Sequence, residues 1–153
     1  MRGPLGDRFS PGVHDPEGRF TEKERAIADW LLSQNPGLCI HPRHRDPAQE
    51  GPSPDAMVRT DPDDHGTLTE FKTLDEASTT SIKQNARSAI RQVLPFGNGD
   101  VVLDGRAVGL SEADARVGHA RLVGERRQHG RPMPRTFTII LGDSRELTWR
   151  ADV

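Results

Sequence analysis

A chain of 153 residues suits one compact domain with a real core, and nothing in its composition asks for two. Hydrophobic residues make up 33% and charged residues 29%, with a mean hydropathy of −0.70, and no apolar run approaches the ~20 residues that span a bilayer. The net charge of −2 is unevenly spread: residues 1–75 carry 9 basic and 14 acidic groups, residues 76–153 carry 12 and 9, an imbalance that suits cations held beside the path of a polyanion.

In chain order, residues 1–20 are rich in Gly, Pro and charge and read as an irregular lead-in, with no membrane segment and no apolar stretch of a signal peptide. Any export is expected to be carried by a larger protein. Residues 21–153 read as a single domain. Thr21 and Glu24 form a Thr-x-x-Glu capping box that opens a helix through about Gln34, which Asn35-Pro36-Gly37 stops. Leu38–His41 is a short apolar strand. It contains the single cysteine, Cys39, which excludes an internal disulfide and a thiolate zinc cluster and reads as a small buried hydrophobe.

After a Pro- and charge-rich connection come two strand-like runs, Asp55–Arg59 and Thr67–Lys72, joined by the polar turn TDPDDHG. Ile82, Ala86, Ala89, Ile90 and Val93 recur at helical spacing and predict a helix over Thr79–Leu94. DVVLD (Asp100–Asp104) reads as a buried strand and Ser111–Gln128 as a helix. Thr136–Leu141 and Arg145–Arg150 flank the turn Gly142-Asp143-Ser144. Such a mixed order argues for an α/β sandwich around a mixed central sheet.

The constellation that carries chemistry is Pro54-Asp55, fourteen residues, then Glu70-Phe71-Lys72. Side chains alternate along a strand, so Glu70 and Lys72 leave one face and Phe71 the other. If the preceding strand pairs through the polar turn, Asp55 is carried beside them. Two converging carboxylates make a hard oxygen site for Mg²⁺ or Mn²⁺, and a neighbouring ammonium can hold an attacking water or stabilise a pentavalent phosphate. The same spacing also fits an edge strand with a surface Glu/Lys pair.

Glu24 lies on the flank of the Ile27–Trp30–Leu31 face of its helix, where a carboxylate needs a partner. It can serve as the cap, as a further acid at the site, or as both. Lys83, Arg87 and Arg91 recur every four residues on the second helix and fit either a phosphate track or a solvated face. Gln84 and Gln92 are further polar groups there. His41, His44, the acidic turn of Asp61, Asp63 and Asp64, and Asp104 are weaker candidates for binding a cation.

The string PDAMV…TLTEFKTL, a Ser/Thr-rich helix start and the strand DVVLD resemble the PD-(D/E)XK nuclease superfamily. More narrowly, with the lead-in GRFTEKERAIADWLL, they resemble the C-terminal tRNase toxin domains of contact-dependent inhibition (CdiA-type) proteins and related bacterial polymorphic toxins. The likeness covers roughly residues 18–105.

It implies an αβββαβ core, here followed by a helix and a β-hairpin, and a divalent metal, Mg²⁺ first and Mn²⁺ or Zn²⁺ as alternatives. Asp55, Glu70 and Phe71 are placed at the metal, and Asp55, Glu70, Lys72 and Glu24 form the catalytic set. Lys83, Arg87, Arg91, Gln84 and Gln92 are placed along the nucleic acid. It further implies an endoribonuclease acting on tRNA, an immunity protein as partner, and delivery within a larger exported protein to a target-cell cytoplasm. A DNA endonuclease of the same superfamily and a non-catalytic nucleic-acid-binding module on this fold are the alternatives.

Overall fold

The computed structural model describes residues 3–43 and 54–151. Among them, a seven-stranded mixed sheet carries α-helices on both faces. The strands are β1 (Gly12–Val13), β2 (Cys39–Pro42), β3 (Ala56–Arg59), β4 (Thr67–Thr73), β5 (Asp100–Asp104), β6 (Thr136–Ile140) and β7 (Glu146–Arg150). The helices are α1 (Glu22–Gln34), α2 (Thr79–Val93) and α3 (Glu112–Gln128). The strands lie side by side in chain order. β1 and β2, β4 and β5, and β5 and β6 run parallel, while β2–β3, β3–β4 and β6–β7 are antiparallel. The parallel pairs are those whose connections contain a helix, as a crossover requires.

Local sequence explains where the helices begin. Thr21 accepts from the Glu24 amide and the Glu24 carboxylate accepts from the Thr21 amide, so both halves of the expected capping box are made. Ser78 and Ser111 cap α2 and α3 through their hydroxyls. α2 buries Ile82, Ala86, Ala89, Ile90 and Val93, the stripe read from the sequence. With α3 it covers one sheet face, over Val101, Leu103, Phe137 and Ile139. The other face holds Phe71, Val102 and Ile140 beneath Ile27, Ala28 and Trp30 of α1. Cys39 is free and buried. No helix among the described residues is long and apolar enough to cross a membrane.

The structure differs from the sequence reading in two places. The lead-in is not wholly irregular: Gly6–Arg8 form a 3-10 turn, and Gly12–Val13 add strand β1 through bonds from Gly12 N–H to Leu38 O (2.8 Å) and His14 N–H to Ile40 O (2.7 Å). The C-terminal hairpin is part of the central sheet, because β6 pairs with β5 along its whole length. Gly99, at the entry to β5, is fixed by close packing. A Cβ there would lie 2.3 Å from the Leu68 carbonyl oxygen of β4.

Candidate active site

The site forms where β3 and β4 part. Their pairing runs from Val58–Thr67 to Ala56–Thr69 and stops, while β4 continues to Thr73 against β5. Beyond that fork the β4 edge facing β3 has no ladder partner among the described residues, and a buried amide without an acceptor is costly. Asp55, one residue before β3, supplies the acceptor: its Oδ2 takes the Phe71 N–H at 3.0 Å. The Asp55 N–H donates in turn to Glu70 Oε1 at 3.0 Å. Asp55 is thus locked to β4 by two bonds, one to the backbone and one to the Glu70 side chain.

Glu70 and Lys72 stand opposite Val101 and Leu103, on the face that α2 and α3 cover, and Phe71 turns to the α1 face. This is the alternation expected of Glu-x-Lys on a strand. Glu70 is 4% exposed. Lys72 Nζ lies 3.6 Å from Glu70 Oε2, and its side chain keeps 30% of its surface in solvent. Glu24, half-buried in the first turn of α1, closes its capping box and lies near enough to Asp55 to raise that carboxyl's pKa. The capping role is made in full, by the two bonds between Thr21 and Glu24.

The electrostatics follow from three carboxyl groups in series beside one ammonium. Burial, then the charge of Glu70, then the hydrogen bond and charge of Glu24 push Asp55 up to about 9. Burial also raises Glu70, against the opposing hydrogen bond of Asp55 and the charge of Lys72. Burial and mutual repulsion thus favour protonation of the pair while no cation is bound. A group of carboxyls this reluctant to ionise together is suited to a bound divalent cation, which supplies the missing positive charge. The donor set fits a hard ion: carboxylate oxygens from Asp55 and Glu70, while Phe71 can offer main-chain atoms alone. Among the described residues no group of three or more His, Cys, Asp and Glu is set to hold a metal ion. The carboxylates that could hold such an ion are therefore two, Asp55 and Glu70, fewer than a closed protein cage needs and in keeping with the one or two that Mg²⁺ commonly takes beside water.

The other sequence candidates are placed differently. Lys83 and Arg87 both bind Glu125 of α3, each at 2.5 Å, so these two members of the basic stripe are clasped between the helices. Arg91 and Gln84 are exposed on α2, and Gln92 is half-buried and engaged. Asp61 and Asp64 brace their own turn: Asp64 accepts from the Thr60 and Gly66 amides, and Asp61 from that of Asp63. Asp104 is paired with Arg106 at 2.8 Å. His41, on β2, bonds the fully buried Arg59, and His44 lies outside the described residues. Sequence reasoning passed over Glu125, Arg126 and Arg131. Arg126 and Arg127 make a short basic run at the end of α3 and Arg131 follows it, legible only as charge until the fold sets them against α2.

No family model matches the chain, and no curated protein matches it. Among solved structures, the fold is similar to a chain of the CdiA-CT/CdiI toxin and immunity complex from Burkholderia pseudomallei. The TM-score is 0.54 at 10% identity, covering 90% of this chain and 98% of that one. At that identity the likeness is one of fold.

Proposed function

We propose that this chain is a metal-dependent endonuclease toxin domain on a PD-(D/E)XK-like core, hydrolysing phosphodiester bonds of RNA, with tRNA as its substrate. The observation that carries the reading is the convergence of Asp55, Glu70 and Lys72 at the β3–β4 fork, with Glu24 brought in from α1. The αβββαβ order of α1, β2–β4, α2 and β5 supports the core assignment. The fold shared with a chain of a toxin and immunity complex supports a toxin domain with an immunity partner, acting in a target cell after delivery within a larger protein. The choice of RNA rests on the resemblance of residues 18–105 to the tRNase toxins.

In this reading Asp55 and Glu70 hold Mg²⁺, or Mn²⁺ or Zn²⁺ in its place. The ion, when bound, offsets charge on the scissile phosphate and lowers the pKa of a coordinated water. Asp55 is oriented by the Phe71 amide, so its second oxygen has little freedom to turn away. Glu70 is held by the Asp55 N–H and keeps the Lys72 ammonium beside it. Lys72 keeps partial solvent access, so a phosphate can reach its ammonium. There it donates to the attacking water or to the oxygen on which negative charge grows. Glu24 positions Asp55 and adds negative charge that favours the cation.

The test is to incubate the purified chain with total tRNA and with plasmid DNA in Mg²⁺, Mn²⁺, Zn²⁺ or EDTA. Cleavage of tRNA that EDTA stops and Glu70→Ala abolishes, in a variant that still folds, is the expected result. Cleavage of plasmid alone transfers the assignment to DNA. Binding of either substrate without cleavage in any metal leaves a non-catalytic module and overturns the enzyme.

A further inference from the structure

We infer that the end of α3, together with Arg87 of α2, forms a separate phosphate-binding pocket that grips the nucleic-acid backbone away from the scissile bond. The inference rests on the proposed substrate class but on different residues from the catalytic group. A cavity of about 500 Å³ is lined by Arg87, Glu125, Arg126, Gln128, His129 and Arg131. It lies over the α2–α3 side of the sheet, the side to which Glu70 and Lys72 project. Its shape comes from the chain reversal after α3. Gly130 takes φ +63°, and the Arg131 N–H returns to the Arg126 carbonyl at 2.7 Å, which brings Arg131 back beside Arg126.

The charge balance singles this cavity out. Among the described residues that line it, Glu125 is the one acid, and it is already engaged by Lys83 and Arg87. Setting Arg87, Arg126 and Arg131 against Glu125 leaves an excess of two positive charges in the lining, and Lys83, which shares Glu125, adds a third. Arg126 is 9% exposed, and its Nε donates to the Pro132 carbonyl at 2.7 Å. Burial and the neighbouring Arg131 charge both work against its ionisation. The C-terminal dipole of α3 welcomes basic residues in its last turn, but it amounts to roughly half a charge and does not balance three. An anion does.

Guanidinium groups from α2, from α3 and from the segment after it line this one cavity. That suits the several oxygens of a tetrahedral phosphate better than a planar carboxylate, which one bidentate arginine satisfies. A concave site of this size also admits a backbone phosphate with its sugar.

The experiment measures binding of a labelled single-stranded RNA oligonucleotide in EDTA, where cleavage is off, across a salt series. Arg131 is exposed, and among the described residues its side chain makes no hydrogen bond or ion pair, so Arg131→Ala retains the fold. Gln128→Glu places an acid on the lip as a second probe. Both variants should bind roughly three- to tenfold more weakly than wild type at 0.1 M salt. The log–log salt slope of Arg131→Ala should be shallower by about 0.7, as for one lost phosphate contact on a single strand. Wild-type affinity and slope in both variants overturn the pocket. So does polyglutamate that competes as well as RNA of equal charge, which would mark a site for an acidic protein. Failure of cleavage in every metal, with binding that still depends on Arg131, overturns the nuclease reading and leaves the pocket standing.

Discussion

Replacing Asp55 by asparagine should make the metal-free protein more stable at neutral pH while it disables the site. Asp55 ionises near its usual 3.8 when unfolded and at about 9 when folded, raised by burial and by its carboxylate neighbours. The folded state therefore binds more protons than the unfolded state between those values, and stability must fall as pH rises from about 4 towards 9. At about 1.4 kcal/mol per pH unit, the distance from 3.8 to pH 7 sets an upper bound of about 4 kcal/mol. Glu70 shares the proton, so the measured gain for Asp55→Asn is expected between about 1 and 4 kcal/mol, or roughly 3–12 °C in a domain of this size. Asparagine keeps the acceptor for the Phe71 amide and presents an NH₂ group to Glu70 and Glu24, so the fork stays satisfied. Denaturation in EDTA from pH 4 to pH 9 is the assay. The two profiles should converge at the acid end and diverge above it, and saturating Mg²⁺ should stabilise the wild type and leave the variant unchanged. Parallel profiles, or an asparagine variant less stable at pH 8, would refute the electrostatic account of the site.

Glu24→Gln separates two parts of one side chain. Glutamine can still close the capping box, so α1 should be retained. Apo stability at pH 8 should rise, and the Mg²⁺ concentration for half-maximal cleavage should increase severalfold; a metal curve that overlays the wild type would leave Glu24 a cap and nothing more. Lys72→Ala should lower turnover on the order of a hundredfold or more with metal affinity near normal. Arginine should rescue poorly because its planar fork does not replace a compact ammonium, and full activity in Lys72→Arg would remove Lys72 from the chemistry. His119 stacks on Trp149 at 3.7 Å, and burial depresses it to about 4. Its folded pKa lies below the ordinary 6.5, so it should weaken the fold as pH falls from about 6.5 to 4 and titrate near 4 by NMR, with Trp149 fluorescence changing in step. Titration near 6.5 would show the imidazole to be open to water.

The parts of the fold legible in the sequence are those set by local chemistry. Thr21 and Glu24 announced a capped helix, and DVVLD gave the bounds of β5 because a short apolar run between turn signals has few alternatives. Alternation placed Glu70 and Lys72 together on β4 without any tertiary information. The convergence of Asp55 needed one further condition, that the two runs pair across the acidic turn, and they do. What stayed hidden depends on distant partners. β1 is two residues long and has no period to read; bonds to Leu38 and Ile40 define it. The Asp55–Phe71 bond exists because β3 ends early, and nothing in AMVR says where pairing stops. The Glu125 clasp joins residues 42 and 38 positions apart, so the basic stripe on α2 looked freer in sequence than it is.

The side-by-side order of β1 to β7 bears on how the chain assembles. Every strand's neighbour in the sheet is its neighbour in sequence, so none has to be slotted between two that have already joined. A polypeptide emerging N-terminus first can lay each strand onto a finished edge, keeping loop closures short and unpaired edges few at any moment. The fork that holds Asp55 and Glu70 is complete once β4 is laid down. The arginine pocket waits for α3 and the turn behind it, so the carboxylates take their places before the cations that the second site requires.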